Sequence, residues 1–264
     1  MMTESNSTTF RQRLLAGEPL IGTFMKVPSS HLTEVMGSLG FDFVMLDEEH
    51  APWTRATLDA GCLGARAFGI ASMVRIARPD AANILSALDD GATGIMVPHV
   101  DSAEKAESIV SAAHYYGGTR GAGVGRGGEY GMRGKENFTI ADQQTTIMAM
   151  IEDRQALDVI DDITSIEGID AIFLGRGDLG LSLRNGPDGS LSIKQAVEKV
   201  AKSATDNGKT LSAVVQSLQS DDAKWLADIG VTAMMVASDI GFLQQAARLA
   251  LKDFAAAKQT LFAK

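Results

Sequence analysis

Two carboxylates carry the strongest chemical signal in the sequence. Glu152 ends the apolar run Ile147–Met148–Ala149–Met150–Ile151, and Asp178 follows Ala171–Ile172–Phe173–Leu174–Gly175 after the short turn Arg176–Gly177. Two neighbouring acids repel each other unless a proton or a cation lies between them. Oxygen ligands at two corners of a site, with water and substrate at the rest, suit Mg2+ or Mn2+. Their separation of 26 positions makes one strand–helix unit, which places both at the same end of adjacent strands. An acid at a strand end can also cap the helix that follows, so each residue alone would say little.

Further candidates lie at other strand ends. The segment Leu46–Asp47–Glu48–Glu49–His50–Ala51–Pro52 closes an apolar run with three acids beside a histidine. Histidine exchanges protons near neutral pH, and a neighbouring aspartate can orient its ring. Glu48 and Glu49 also fit an ordinary solvated turn. Arg75 interrupts the apolar run Met73–Val74–Arg75–Ile76. A buried guanidinium needs an anion, which a substrate carboxylate, Asp47 or Asp89 can supply. Asp89 and Asp90 end a helical stretch, where a carboxylate is mildly unfavourable without a partner. His99 follows Met96–Val97–Pro98 and reads equally as structural or substrate-facing; His31, His114 and Arg78 read as surface or packing residues. Gly123-x-Gly125-x-x-Gly128 matches a dinucleotide fingerprint in letters only, since no strand precedes it and no helical pattern opens behind it.

These residues need a scaffold that brings strand ends together. Short apolar runs at Leu20–Lys26, Phe41–Asp47, Ala71–Ile76, Gly94–Val97, Ile147–Ile151, Ala171–Gly175, Thr210–Gln216 and Ala233–Ala237 predict eight strands. Between them, apolar residues at helical spacing predict helices over Ser30–Leu39, Arg55–Phe68, Ala81–Asp89, Ala103–His114, Arg154–Ile166, Ile193–Asn207 and Asp221–Ile229, and a long last helix within Ile240–Leu261. Ser29 or Ser30, Thr54, Ser102 and Ser220 are candidate caps, and Gly40, Gly168, Gly208 and Gly230 candidate helix stops. Strict alternation implies parallel strands with crossover helices. Polar residues gathered at strand ends favour a closed (β/α)8 barrel over an open sheet. One domain, 10–264, follows a predicted tail, 1–9. The segment Tyr115–Asn137, with nine glycines and Arg120, Arg126 and Arg133, reads as a long loop on the active face.

Bulk properties narrow the function. The chain has 264 residues and a formal net charge of −9, a poor match for nucleic acid or anionic membranes. A single cysteine, Cys62, excludes an intrachain disulfide and a multi-thiolate zinc site, and fits a reducing cytoplasm. The N-terminal residues carry no basic-then-apolar pattern, and no run reaches the ~18 apolar residues of a membrane span.

Taken together, several segments resemble the HpcH/HpaI aldolases, metal-dependent class II pyruvate aldolases. They are Gly40–Phe41–Asp42–Phe43, Leu46–Asp47-x-Glu49–His50–Ala51–Pro52, Val74–Arg75, Leu88–Asp89-x-Gly91–Ala92, Met96–Val97–Pro98, Arg120–Gly121, Met150–Ile151–Glu152 and Gly175-x-x-Asp178–Leu179. The resemblance implies a TIM barrel of the phosphoenolpyruvate/pyruvate superfamily with metal ligands at Glu152 and Asp178. It implies an acid–base histidine at His50 oriented by Asp47 and Asp89, a substrate arginine at Arg75, and substrate contacts around Gly175, Arg176 and Gly177. A divalent ion (Mg2+, Mn2+ or Co2+), a 2-oxo acid and an aldehyde are the implied cofactor and substrates. Hexamers, as trimers of dimers that exchange the last helix, are the implied assembly. Two departures bear on substrate preference: Met150 stands where many relatives have glutamine, and Arg176–Gly177 where they usually have Pro–Ala. A 2-oxo acid decarboxylase or an acyl-CoA lyase on the same site, and a non-catalytic metabolite-binding barrel, are the alternative expectations.

Overall fold

The computed structural model describes residues 9–186 and 191–262. Eight parallel strands close into a barrel in sequence order. They are β1 (Leu20–Met25), β2 (Phe43–Asp47), β3 (Ala71–Arg75), β4 (Gly94–Val97), β5 (Thr146–Ile151), β6 (Ala171–Leu174), β7 (Thr210–Val215) and β8 (Val231–Ser238). The helices are α1 (Phe10–Leu15), α2 (Ser30–Ser38), α3 (Arg55–Ala67), α4 (Ala81–Asp89), α5 (Ala103–Ala113), α6 (Glu136–Gln144), α7 (Ile160–Ser165), α8 (Arg176–Arg184), α9 (Ile193–Asp206), α10 (Asp221–Asp228) and α11 (Asp239–Leu261). All eight predicted strands and the crossover helices between them are present. Thr54, Ser102 and Ser220 accept the expected cap bonds, whereas Ser29 caps α2 without a side-chain bond.

The two-residue period of a strand sorts side chains into two cores. Val44, Leu46, Val74, Ile95, Ile147 and Ile172 face the helices. Phe43, Met45, Met73, Met96, Met148 and Phe173 fill the barrel. The register stacks Met45 beside Met73 and Met96 beside Met148. Unbranched thioethers suit this irregular interior. Continuing the same alternation, Asp47, Arg75 and Glu152 are the next inward positions at the carboxyl ends of β2, β3 and β5. The opposite mouth is plugged by α1, whose Phe10 ring lies 5.3 Å from that of Phe43.

Four elements lack a clear sequence signal: α1, α6, α8 and a 3-10 helix over Arg126–Gly131. Residues 1–8 of the predicted tail lie outside the described residues, and Thr9 already belongs to the fold, capping α1 in a reciprocal pair with Gln12. The predicted helix 154–166 divides into a 3-10 turn, Arg154–Val159, and α7.

One expectation is overturned. The glycine-rich segment follows α5 and precedes β5, so it lies at the mouth where strands begin, not on the active face. It lies flat against the end of α4. A side chain at Gly127 would come within 2.1 Å of the Leu88 carbonyl oxygen, which explains the need for glycine there. The last helix, α11, spans 23 residues and leaves Leu243, Leu249, Leu251 and Phe254 exposed. Among the described residues no helix is long and apolar enough to cross a membrane.

Candidate active site

The carboxyl ends of the strands gather the polar residues. Asp47 is fully buried and accepts from Arg75 Nε (2.8 Å) and Nη2 (2.8 Å). Lys26 Nζ pairs with the same carboxylate. Burial alone would raise the Asp47 pKa, but the hydrogen bonds and charges of Arg75 and Lys26 hold it below its usual value. The same guanidinium reaches Glu49 Oε2 at 3.1 Å and lies 4.9 Å from the Phe24 ring centroid. The buried cation is therefore held by an internal ion pair, one of the alternatives expected from sequence. Met150 Sδ sits 3.9 Å from Arg75 Nη1, a weak contact in place of an amide.

Beside this pair is a second cluster. Glu49, His99 and Glu152 bring one ligand atom each within 4.8 Å of one another. His99 adopts φ 55, and its backbone N–H donates to Glu152 Oε1 at 2.9 Å. Its ring Nδ1 meets Asp153 Oδ2 at 2.9 Å, and Nε2 lies 3.7 Å from Glu49 Oε1. Burial would lower the His99 pKa, but Asp153, Glu152 and Glu49 together raise it above 6.5. Glu152 is 2% exposed. Burial pushes its carboxyl up to about 7; the His99 backbone bond and charge oppose this, while Glu49 and Asp178 add to it. A carboxyl so placed is partly protonated near neutral pH.

A cavity of about 340 Å³ opens beside Glu152. Arg75, Met150, Gly175, Arg176, Gly177 and Asp178 line it together with Phe24, Phe173 and residues of β7. Gly175 is fixed by crowding, since a Cβ there would come within 2.6 Å of Glu152 Cβ. Arg176 turns toward α10, pairing with both Asp222 oxygens at 2.6 and 2.8 Å and donating to the Val214 carbonyl at 2.8 Å. Arg75, Asp178 and the Gly175–Gly177 turn thus share one cavity.

The expected orientation of His50 is not made within this chain. The ring is half-exposed, and its nearest acid is Glu49, with Nε2 to Oε2 at 3.7 Å. Asp47 accepts only the His50 backbone N–H (3.2 Å), because its oxygens are committed to Arg75 and Lys26. Asp89 ends α4 at the opposite mouth and accepts from Arg120 (3.2 Å). From sequence, Glu49 fits a solvated turn and His99 reads two ways, so neither stands out as part of this cluster. The pattern Asp47-x-Glu49–His50 held the signal, but strand periodicity stops at Asp47, so side-chain direction beyond it was not legible.

Comparisons with known proteins place the fold in one family. The HpcH/HpaI aldolase/citrate lyase family model matches residues 20–246. A hydroxypyruvate/pyruvate aldolase of Roseobacter denitrificans is 31% identical over 240 residues, covering 89% of this chain and 92% of that protein. A 2-keto-3-deoxy-L-rhamnonate aldolase of Klebsiella pneumoniae is 33% identical over 202 residues, covering 74% and 75%. The crystal structure of a HpcH/HpaI aldolase/citrate lyase family protein from Burkholderia cenocepacia superposes with a TM-score of 0.84 at 25% identity, covering 93% of this chain and 98% of that one. With its closed parallel barrel and a polar site at the strand ends, the chain belongs to the HpcH/HpaI aldolase/citrate lyase family and is a carbon–carbon lyase.

Proposed function

We propose that this protein is a divalent-metal-dependent aldolase that cleaves a 4-hydroxy-2-oxo acid to pyruvate, or a close 2-oxo acid, and an aldehyde. The observation that carries this reading is the buried Glu152 carboxyl, pushed up to about 7 among Glu49 and Asp178, next to the Gly175 turn of a cavity lined by Arg75 and Asp178. The donor set is oxygen-rich and suits a hard cation such as Mg2+, Mn2+ or Co2+. Glu152 and Asp178 would hold the ion, with Glu49 and His99 close enough to steady its surroundings. When bound, the ion supplies Lewis-acid polarisation of the substrate keto group. The names of the relatives, which include a hydroxypyruvate/pyruvate aldolase and a keto-deoxy sugar acid aldolase, support the substrate class.

The chain's own residues account for the other tasks. Arg75, locked by Asp47, presents a fixed positive charge toward the cavity where negative charge develops at the keto oxygen. The Gly175–Gly177 turn lines the same space; its Gly175 N–H is engaged by the Ile151 carbonyl (3.0 Å), so the unbonded N–H groups of the next residues, in the first turn of α8, suit a substrate carboxylate. His50, open to solvent, takes the proton of the C4 hydroxyl as the C3–C4 bond breaks. Lys26 is engaged with Asp47, which fits a route that needs no lysine imine. The exposed apolar residues of α11 support a homo-oligomer, hexameric as the resemblance implies, in which this helix is exchanged; the reducing cytoplasm that the single cysteine fits is the proposed location.

The test is pyruvate release from 4-hydroxy-2-oxo acids with and without EDTA. Activity is expected to vanish in the chelator and to return with Mg2+, Mn2+ or Co2+. Full turnover in EDTA would reject the metal role, and release of CO2 from oxaloacetate in preference to aldol cleavage would favour the decarboxylase alternative.

A further inference from the structure

A second cavity, of about 480 Å³, lies on the other side of the barrel, where β3, β4 and β5 begin. It is separated from Glu152 by the strand length, roughly 15–20 Å at ~3.3 Å per residue. Its walls are α3, the end of α4, the turns before β3 and β4, and the glycine-rich segment with α6. Four guanidiniums line it: Arg66, Arg120, Arg126 and Arg133, against one lining acid, Glu129. Asp59 and Asp89 stand behind Arg126 and Arg120. Counting both, four cations face three acids, a positive balance in a chain of net charge −9.

Ion pairing uses only part of these donors. Glu129 is shared by Arg66 (3.4 Å) and Arg133 (2.5 Å). Arg120 gives only Nη2 to Asp89, at 3.2 Å. Its side chain is 2% exposed and its Nε has no partner. Arg126 gives Nε and Nη2 to Asp59 and keeps Nη1 free among the described hydrogen bonds. A buried guanidinium donor without an acceptor is costly. Nearby Cys62 adds no competing charge, since burial pushes its thiol up to about 12.

We propose that this cavity binds a small phosphoryl dianion, either inorganic phosphate or the phosphate of a monoester. Guanidiniums converge on it from α3 and from three places along the glycine-rich segment, so they suit an acceptor with oxygens in several directions better than a planar carboxylate. The volume exceeds that of phosphate alone and leaves room for an organic group. The proposal does not depend on the reaction assigned to the Glu152 site. It also gives the glycine-rich segment a role: close packing on α4 brings Arg120 and Arg126 to one wall.

The experiment is calorimetric titration of the full-length, Mg2+-loaded protein with inorganic phosphate, with a pentose 5-phosphate and with the unphosphorylated sugar. Saturable binding of both phosphates and none of the sugar is expected. Tighter binding of the ester identifies the monoester as ligand, and equal binding identifies phosphate itself. Arg66→Gln and Arg133→Gln should each weaken binding roughly tenfold. Glu129→Gln should tighten it, because two guanidiniums are released; a purely structural ion-pair network would not respond so. Glu152→Gln should leave phosphate affinity unchanged. No saturation up to ~10 mM, or binding lost in Glu152→Gln yet intact in the arginine variants, would overturn the proposal and place any phosphate at the opposite mouth.

Discussion

Replacing Glu152 by glutamine isolates the group on which the metal proposal turns. In the folded chain without metal this carboxyl titrates at about 7, against a usual 4.5. The folded state then holds a proton over a window in which the unfolded chain has lost it. Stability from this group is complete below pH 4.5 and is lost as pH rises toward and through 7. The two values differ by 2.5, and about 1.4 kcal/mol attaches to each factor of ten. The metal-free protein should therefore lose up to ~3 kcal/mol between about pH 4.5 and 7.5. This is an upper bound, because water reaching half-exposed His99 solvates the cluster in part. His99, raised above 6.5, contributes with the same sign: its stabilisation is present below 6.5 and lost above its folded value. Asp47, held below 3.8, keeps its contribution throughout the window and loses it only in stronger acid.

The measurement is urea unfolding in EDTA at several pH values, for the wild type and Glu152→Gln. Glutamine keeps an oxygen for the His99 N–H but carries no charge. The wild type should destabilise with rising pH, and the variant should show a distinctly smaller slope. Subtracting one curve from the other cancels Glu48 and Asp90, which burial also raises in both proteins. Saturating Mg2+ should flatten or reverse the wild-type slope, since the cation favours the ionised carboxylate. Parallel curves for the two proteins, or wild-type stability that increases with pH in EDTA, would refute the reasoning.

Three further outcomes are expected. Arg75→Met leaves Asp47 buried with Lys26 as its one cationic partner and the His50 backbone N–H as its other donor, so stability should drop by about 3–5 kcal/mol, read by urea unfolding; a loss within error would mean that those two partners already satisfy Asp47. Gly175→Ala drives a methyl toward Glu152 Cβ and the Ile151 carbonyl, so Mg2+ affinity measured by calorimetry should decrease at least tenfold while the thermal transition moves by only a few degrees. His50→Ala should slow aldol cleavage more than exchange of pyruvate methyl protons into deuterated water, and equal losses would remove the proton-transfer role assigned to that ring.

The barrel was legible because two periods repeat eight times. Alternation within runs such as Phe43–Asp47 and Ala71–Arg75 carried both the strand and its facing. Helix α6 left no such trace, because Asn137 is its only buried residue. Helix α8 opens on Arg176–Gly177 and contains Gly180, which conceals it in a window read by propensity. The glycine-rich segment lies at the mouth opposite to the one its composition suggests, although the helix preceding it is plain in the sequence. In a (β/α)8 barrel, segments after strands and segments after helices emerge at opposite ends, so its position after α5 already decided the face. The same rule separates Asp89, at the end of α4, from His50, just beyond the end of β2: a motif match carries residue types along the chain but not the mouth at which they emerge.

Charge balance links the barrel's register to its chemistry. Inward positions at the strand ends supply Lys26, Asp47, Arg75 and Glu152, the turn after β2 adds Glu49, and the first turn of α8 adds Asp178. Two cations meet four carboxylates, leaving a formal balance of −2 when all are ionised. Both cations converge on Asp47, and Arg75 has only one nitrogen left for Glu49. Among the described residues, neither Glu152 nor Asp178 is paired with a lysine or arginine. The apolar layers of Met45, Met73, Met96 and Met148 below them offer no compensation. Part of the deficit is met by the proton that Glu152 retains to about pH 7, while the raised His99 offsets Asp153 beside it. A single divalent ion would meet all of it and release that proton, so metal uptake at pH 6 should expel more protons than uptake at pH 8. Proton release that is the same at both values would mean that Glu152 is not where the charge is balanced.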